Sequence, residues 1–209
     1  MKIVFATENP GKLKEVQMLA EPFGYQVLSP SQAGFVPIKV IEDGATYEEN
    51  ASLKVEAYRT QAGAENFVIC GDDSGIEIRA LGGEPGLHSR RWLGYDMMDQ
   101  EICTYALGRM HNVKDRSAEF KSVLAYSLYG APVLYTRGAM KGWVTETAFA
   151  DAPRQEGFPF RRLFMVNAGN VEIPLYKFET LALDERVPSH REEAFLSLFQ
   201  KLSGASSKK

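Results

Sequence analysis

The sequence predicts an α/β protein with a mixed central sheet and flanking helices. Two patterns carry this. Short apolar strands alternate with capped amphipathic helices early in the chain, and a long antiparallel hairpin pattern follows later. With 209 residues, 44% of them apolar, the chain can bury one sizeable core.

Each element follows from local pattern. Lys2 to Ala6 reads as a short buried strand. Asn9-Pro10-Gly11-Lys12 then opens a helix, because Asn caps well and Pro is tolerated at the first helical position. Leu13, Val16, Leu19 and Ala20 give it one apolar face. Tyr25 to Leu28 is a second strand, and 29–45 is Pro- and Gly-punctuated loop with a candidate strand around Ile38 to Ile41. Thr46-Tyr47-Glu48-Glu49 is a capping box, so a helix is expected from there to Ala62. Phe67 to Gly71 and Ile76 to Leu81 read as strands on either side of Asp72-Asp73-Ser74-Gly75, and Gly82 to Gly86 as a loop. Asp96 to Met110 reads as a helix. Ala118 to Leu128 and Val133 to Val144 read as hairpin strands joined near Gly130-Ala131-Pro132. Residues 145–157 read as an exposed loop. Ser189-His190-Arg191-Glu192 is a second capping box, whose helix carries Phe195, Leu198, Phe199 and Leu202 on one face. One domain is expected over 1–203, followed by a flexible tail over 204–209.

Composition excludes several classes. A net charge of −3 argues against a general nucleic-acid binder. No apolar run approaches the ~18 residues of a membrane span. Cys70 and Cys103 are too few for a disulfide scaffold, and Cys70, in an apolar run, reads as a buried free thiol. The N-terminus runs straight into a strand with no signal-peptide pattern, so a reducing cytoplasm is expected.

Three constellations could carry chemistry. At Thr7-Glu8-Asn9-Pro10-Gly11-Lys12 a strand gives way to a helix, whose free N-terminal N–H groups and the Lys12 charge suit an anion; an ordinary turn with a surface lysine is the alternative. Asp72 and Asp73 end a buried strand, where two adjacent carboxylates are costly without a cation, and Mg²⁺ suits such oxygens. Glu42, before the Gly44 turn, could join Asp73 around a metal, and Asn50 and Lys54 share a helix face nearby. Solvated acidic turns are the alternative. His190 and Arg191 stand in a helix's first turn, where cations are unfavourable unless they meet an anion or a base. No Ser-His-Asp or Cys-His arrangement points to a covalent mechanism.

Taken together and in order, these motifs resemble the inosine/xanthosine triphosphate pyrophosphatase family over nearly the whole chain, Met1 to Leu202. Phe5 to Lys12 is similar to its phosphate loop, and Glu42 to Ala51 to its acidic turn and helix. Asp72 to Gly75, continuing through Gly86, is similar to its most distinctive segment, and Ser189-His190-Arg191 to its C-terminal signature. The resemblance implies an elongated two-lobed fold with a cleft between the lobes, usually a homodimer. It implies a Mg²⁺-dependent hydrolysis of purine nucleoside triphosphates to monophosphate and pyrophosphate, of the kind that clears ITP, dITP and XTP from nucleotide pools. The implied substrate contacts are Thr7, Glu8, Asn9, Pro10, Gly11, Lys12, Lys54 and Ser74, with His190 and Arg191 near the base. Glu42 and Asp73 would hold Mg²⁺, and Asp73 and Lys12 would act in catalysis.

One stretch departs from the family pattern. Gly157-Phe158-Pro159-Phe160-Arg161-Arg162 stands where the family has Gly-Phe-Gly-Tyr-Asp-Pro, and Glu185 stands where it has Lys. Phe158 and Phe160 keep aromatic faces for stacking on a base. Arg161 and Glu185 read either as a salt bridge with its signs exchanged or as an altered base pocket suited to guanine, with GTP, dGTP or a modified guanine nucleotide as substrate. Arg186 could alternatively supply the missing cation. Two further readings are the related septum-formation-inhibitor type of pyrophosphatase, against which Ser189-His190-Arg191 argues, and a nucleotide-binding sensor without turnover.

Overall fold

The computed structural model describes residues 1–153, 157–168 and 171–206. Its strands are β1 (Lys2–Phe5), β2 (Gln26–Leu28), β3 (Val68–Ile78), β4 (Pro85–Gly86), β5 (Ser117–Ser127), β6 (Leu134–Val144), β7 (Phe164–Ala168) and β8 (Val171–Pro174). Its helices are α1 (Pro10–Ala20), α2 (Tyr47–Arg59), α3 (Asp99–Arg109), α4 (Leu175–Phe178) and α5 (His190–Ser206). The strand order is β2-β1-β3-β5-β6-β7-β8, with β4 beside β3. β1 pairs parallel with β2 and β3, whereas β6–β7 and β7–β8 are antiparallel, so the sheet is mixed as expected.

The chain forms two compact units. The first comprises 1–74, 122–138 and the segment from 190 onward; the second comprises 75–121 and 139–189. In the first unit, strand alternation sorts apolar residues onto two faces. Val68, Cys70 and Leu124 pack with Val16, Phe195, Leu198 and Phe199 of α1 and α5. Ile69, Val123 and Ala125 pack with Ala51, Val55 and Tyr58 of α2. The second unit has its own core, built on Ile76, Ile78, Ile102, Phe164 and Phe178.

The helix starts follow their caps. Asn9 Oδ1 accepts from the N–H groups of Gly11 and Lys12. Thr46 Oγ1 accepts from Glu49 N–H, while Glu49 reaches back to the N–H of Ala45 rather than to that of the cap itself. In α5, Phe195, Leu198, Phe199 and Leu202 are all buried, as their spacing predicts. That helix continues to Ser206, past the end expected at 203; of the expected tail, 207–209 lie outside the described residues, as do 154–156 of the expected loop.

Two strand expectations need correction. No strand forms at Ile38 to Ile41, because the Tyr58 hydroxyl takes both backbone groups of Ile38 and Ile41 is 74% exposed. Asp72 to Gly75 is not a turn between two strands: β3 runs through it unbroken for 11 residues. Asp, Ser and Gly favour turns locally, but β1 pairs with β3 only as far as Cys70 and it is the neighbouring strand β5 whose pairing outweighs this preference.

Glycines let β3 and α2 meet closely. A Cβ on Gly71 would lie 2.6 Å from Lys54 Cβ and 3.1 Å from the Ala51 carbonyl. Gly71→Ala should therefore destabilise the protein by about 1–3 kcal/mol in urea unfolding. Gly108→Ala in α3, where an added Cβ meets nothing within 4 Å, should instead be neutral or stabilising by up to about 1 kcal/mol.

Candidate active site

Because β3 is extended at Asp72-Asp73, the two carboxylates project to opposite faces of the sheet. Even positions face α1 and α5, and odd positions face α2, as Cys70 and Ile69 already do. This alternation gives the two aspartates different partners.

On the first face Asp72 is 1% exposed and surrounded by cations. Lys12 Nζ donates to both carboxylate oxygens, at 3.1 and 3.0 Å. Arg191 Nε donates to Asp72 Oδ2 at 3.1 Å, Nη1 to Glu15 Oε2 at 2.9 Å and Nη2 to Ser74 Oγ at 3.3 Å. Burial alone would push Asp72 up, but the charges of Lys12, Arg191 and Lys54 overcome it and hold the carboxyl well below its usual range. Burial, with Arg191 and Lys54 nearby, lowers the Lys12 ammonium despite Asp72. Arg191 is raised: burial opposes this, but Glu15 and Asp72 outweigh it.

On the second face Asp73 is held by neutral donors. Asn50 Nδ2 donates to Oδ2 at 3.0 Å, and the Ser74 N–H donates to Oδ1 at 2.9 Å. Burial raises its pKa, and the charges of Glu42 and Asp72 add to the rise against Lys54 and Asn50. Lys54 Nζ binds Glu42 Oε2 at 2.7 Å and donates to the Asp72 carbonyl at 2.7 Å, tying the acidic turn to the strand. A carboxylate with a raised pKa beside a lysine can accept a proton from water, and its counterpart across the strand is locked as an anion.

The remaining expected residues fall into place unevenly. Thr7 Oγ1 accepts from the Asn9 N–H, and Asn9 occupies the N–H groups of Gly11 and Lys12. Pro10 has no N–H, so the first turn of α1 does not present the free donors that the sequence suggests. Positive charge at this loop comes from the Lys12 side chain. Glu8 is exposed. In α5, burial, Arg191 and Lys12 push His190 well below its ordinary 6.5 and keep the ring neutral. The first turn therefore carries one cation, Arg191, and Asp72 and Glu15 supply its anions.

In the second unit, Phe160 turns inward on a 3₁₀ turn at Pro159–Arg162 and is 3% exposed, packed with Trp92 and Phe120. It belongs to the core and offers no face for stacking; Phe158, just before that turn, is only partly buried. Arg161 forms an ion pair with Glu179, not with Glu185. Glu185 is exposed and accepts from the Ala182 N–H at 3.2 Å, because the turn before it folds back on itself. The exchanged pair Arg161–Glu185 is thus absent among the described contacts. Arg186 lies over the Phe178 ring and donates to the Leu181 carbonyl. Three partners escape a sequence reading: Glu15, Asn50 in its bridging role, and Glu179. Glu15 alone had a usable signal, lying one helical turn after Lys12.

Fold and site together define an α/β protein with buried carboxylates and cations arrayed on both faces of one strand. The chain belongs to the Ham1 family, whose sequence model matches residues 3–201. It is 34% identical over 198 residues to the dITP/XTP pyrophosphatase of Bacillus subtilis, covering 93% of each chain. It is 38% identical over 205 residues to a dITP/XTP pyrophosphatase of Thermus thermophilus, covering 96% of this chain and 91% of the other. The Ham1 protein structure from Staphylococcus aureus superposes with a TM-score of 0.78 at 30% identity, covering 98% of this chain and all of that one (100%). That from Coxiella burnetii gives 0.75 at 27% identity, covering 98% and 99%.

Removing one charge from the Asp72 cluster leaves buried cations uncompensated. Asp72→Asn should cost about 3–5 kcal/mol in urea unfolding. The depressed His190 makes stability fall with acid. Below about pH 6.5 the unfolded chain binds a proton at this position that the folded chain does not, so stability is fully present above that pH and declines as pH falls toward the folded value. Thermal melts should show His190→Gln with a shallower decline over this range.

Proposed function

We propose that this protein hydrolyses purine nucleoside triphosphates to the monophosphate and pyrophosphate, acting on ITP, dITP and XTP in nucleotide-pool clearance. The observation that carries the reading is the division of labour across β3: Asp72 is a fixed anion between Lys12 and Arg191, and Asp73 is a raised-pKa carboxylate facing Lys54 and Glu42. The names of the relatives from Bacillus subtilis and Thermus thermophilus point to the same substrate class.

The chemistry follows from these groups. Lys12 and Lys54 take phosphate oxygens of the substrate, and Ser74 lies beside it. Asp73 orients a water and accepts its proton as the water oxygen bonds to the α-phosphorus. The bond from that phosphorus to the bridging oxygen breaks, and its electron pair leaves with pyrophosphate. Glu42 and Asp73 are the two hard carboxylates that would hold Mg²⁺; no group of three or more metal-holding side chains is present among the described residues. Bound there, Mg²⁺ would neutralise charge on the phosphate oxygens. Positioning and charge stabilisation supply most of the rate.

Base choice is read from Arg161. Arg161, anchored by Glu179, can donate to O6 and N7, which hypoxanthine, xanthine and guanine share. The guanine-shifted reading rests on Arg161 acting together with Glu185, and Glu185 instead accepts from the Ala182 N–H. This favours ITP and XTP over GTP. A homodimer in the cytoplasm belongs to the same reading and rests on the family resemblance; light scattering checks the oligomeric state.

Pyrophosphate release with Mg²⁺ should be at least tenfold more efficient in kcat/KM for ITP and XTP than for GTP. Equal turnover of GTP would instead support the guanine-shifted reading. Asp73→Asn should abolish release and leave nucleotide binding within a few-fold. Binding without turnover in the unaltered protein would mark it as a sensor.

A further inference from the structure

Asn50 connects the two carboxylate-bearing segments of the first unit. It is 4% exposed, and both ends of its amide are used. Nδ2 donates to Asp73 Oδ2 at 3.0 Å, and Oδ1 accepts from the Gly44 N–H at 2.8 Å. The partners fix the orientation of the amide: a carboxylate only accepts and a backbone N–H only donates, so a flipped amide would lose both bonds.

The turn carrying Glu42 is fitted to this amide. A Cβ on Gly44 would stand 2.8 Å from Asn50 Oδ1 and 2.6 Å from Glu49 Cβ. Besides Asn50, the turn is tied to β3 by Lys54, through its ion pair with Glu42 and its bond to the Asp72 carbonyl. Lys54 is also a phosphate-binding group in the reading above, and it gives up at least part of that tie when a triphosphate arrives. Asn50 carries no charge to offer a phosphate and both ends of its amide are already engaged, so its tie does not compete for the substrate. Two carboxylates facing one cation repel each other before the cation binds, and a neutral two-ended bridge holds them without competing for it.

We infer that Asn50 is a positioning residue that fixes Glu42 relative to Asp73 and thereby sets the affinity for the divalent cation. The inference rests on the reading of Glu42 and Asp73 as the metal-holding pair. Outer-shell partners of metal-ligating carboxylates are typically worth about 10–100-fold in metal affinity.

The test is Mn²⁺ binding to the substrate-free protein, followed by electron paramagnetic resonance, together with Mg²⁺ titrations of activity. Asn50→Ala should weaken Mn²⁺ binding at least tenfold and raise the Mg²⁺ concentration for half-maximal activity to match. At saturating Mg²⁺, kcat should recover and nucleotide KM should stay within about twofold, which a general folding defect would not produce. Should Asn50→Ala fail to fold, Gly44→Ala displaces the same contact from the turn and should give the same weakened binding and the same Mg²⁺ rescue. Unchanged Mn²⁺ affinity in the folded variant, or a loss of kcat that Mg²⁺ does not restore, overturns the inference. Glu42→Gln and Asp73→Asn serve as references: unchanged Mn²⁺ affinity in these, or no Mn²⁺ binding by the unaltered protein, overturns the metal-pair reading itself.

Discussion

The pleat of one strand organises this molecule. Consecutive residues of an extended chain point to opposite faces, and β3 places two consecutive aspartates where that rule separates them. Adjacent carboxylates on one face would repel and would share one set of partners. On opposite faces each meets a different helix environment, ionic for Asp72 and amide-bonded for Asp73. The difference in their proton affinities follows from that geometry, since the same backbone carries both.

The packing around the strand serves the same end. Gly71 lets α2 press against β3, which brings Lys54 and Asn50 within reach of the aspartates. On the other side α5 meets β6 at Gly138, where a Cβ would come 2.0 Å from the His190 carbonyl. That close approach seats the first turn of α5, and with it Arg191, against Asp72. The charged cluster is therefore a product of helix–sheet spacing set by two missing side chains, and not of loop flexibility.

Much of this was legible beforehand, and the failures share a cause. Caps, hairpin and helix faces follow from short-range rules, so Asn9, Thr46 and the Phe195–Leu202 face stand where their spacing places them. Lys12, Glu42, Lys54 and Asp73 were recognisable as a set, and the structure brings them into one unit. What could not be read was which charge answers which. Arg191 is 119 positions from Asp72 in sequence, and no local pattern couples them. The same holds for Arg161, whose partner is Glu179 and not Glu185. The turn-like composition of Asp72 to Gly75 misled because ladder pairing by the neighbouring strand β5 is a tertiary term.

Asp72 carries one negative charge and answers to two cations. Arg191 is wedged between it and Glu15 with a side chain 5% exposed, whereas the Lys12 side chain is 19% exposed. If Lys12 departs toward an incoming anion, Asp72 is still compensated. The buried compensation of Asp72 thus rests chiefly on the arginine, so one carboxylate lets the fold depend on one cation while the more exposed one is open to change. A lineage could exchange Lys12 and keep its architecture, whereas exchange of Arg191 would take the shared partner from Asp72 and Glu15 together.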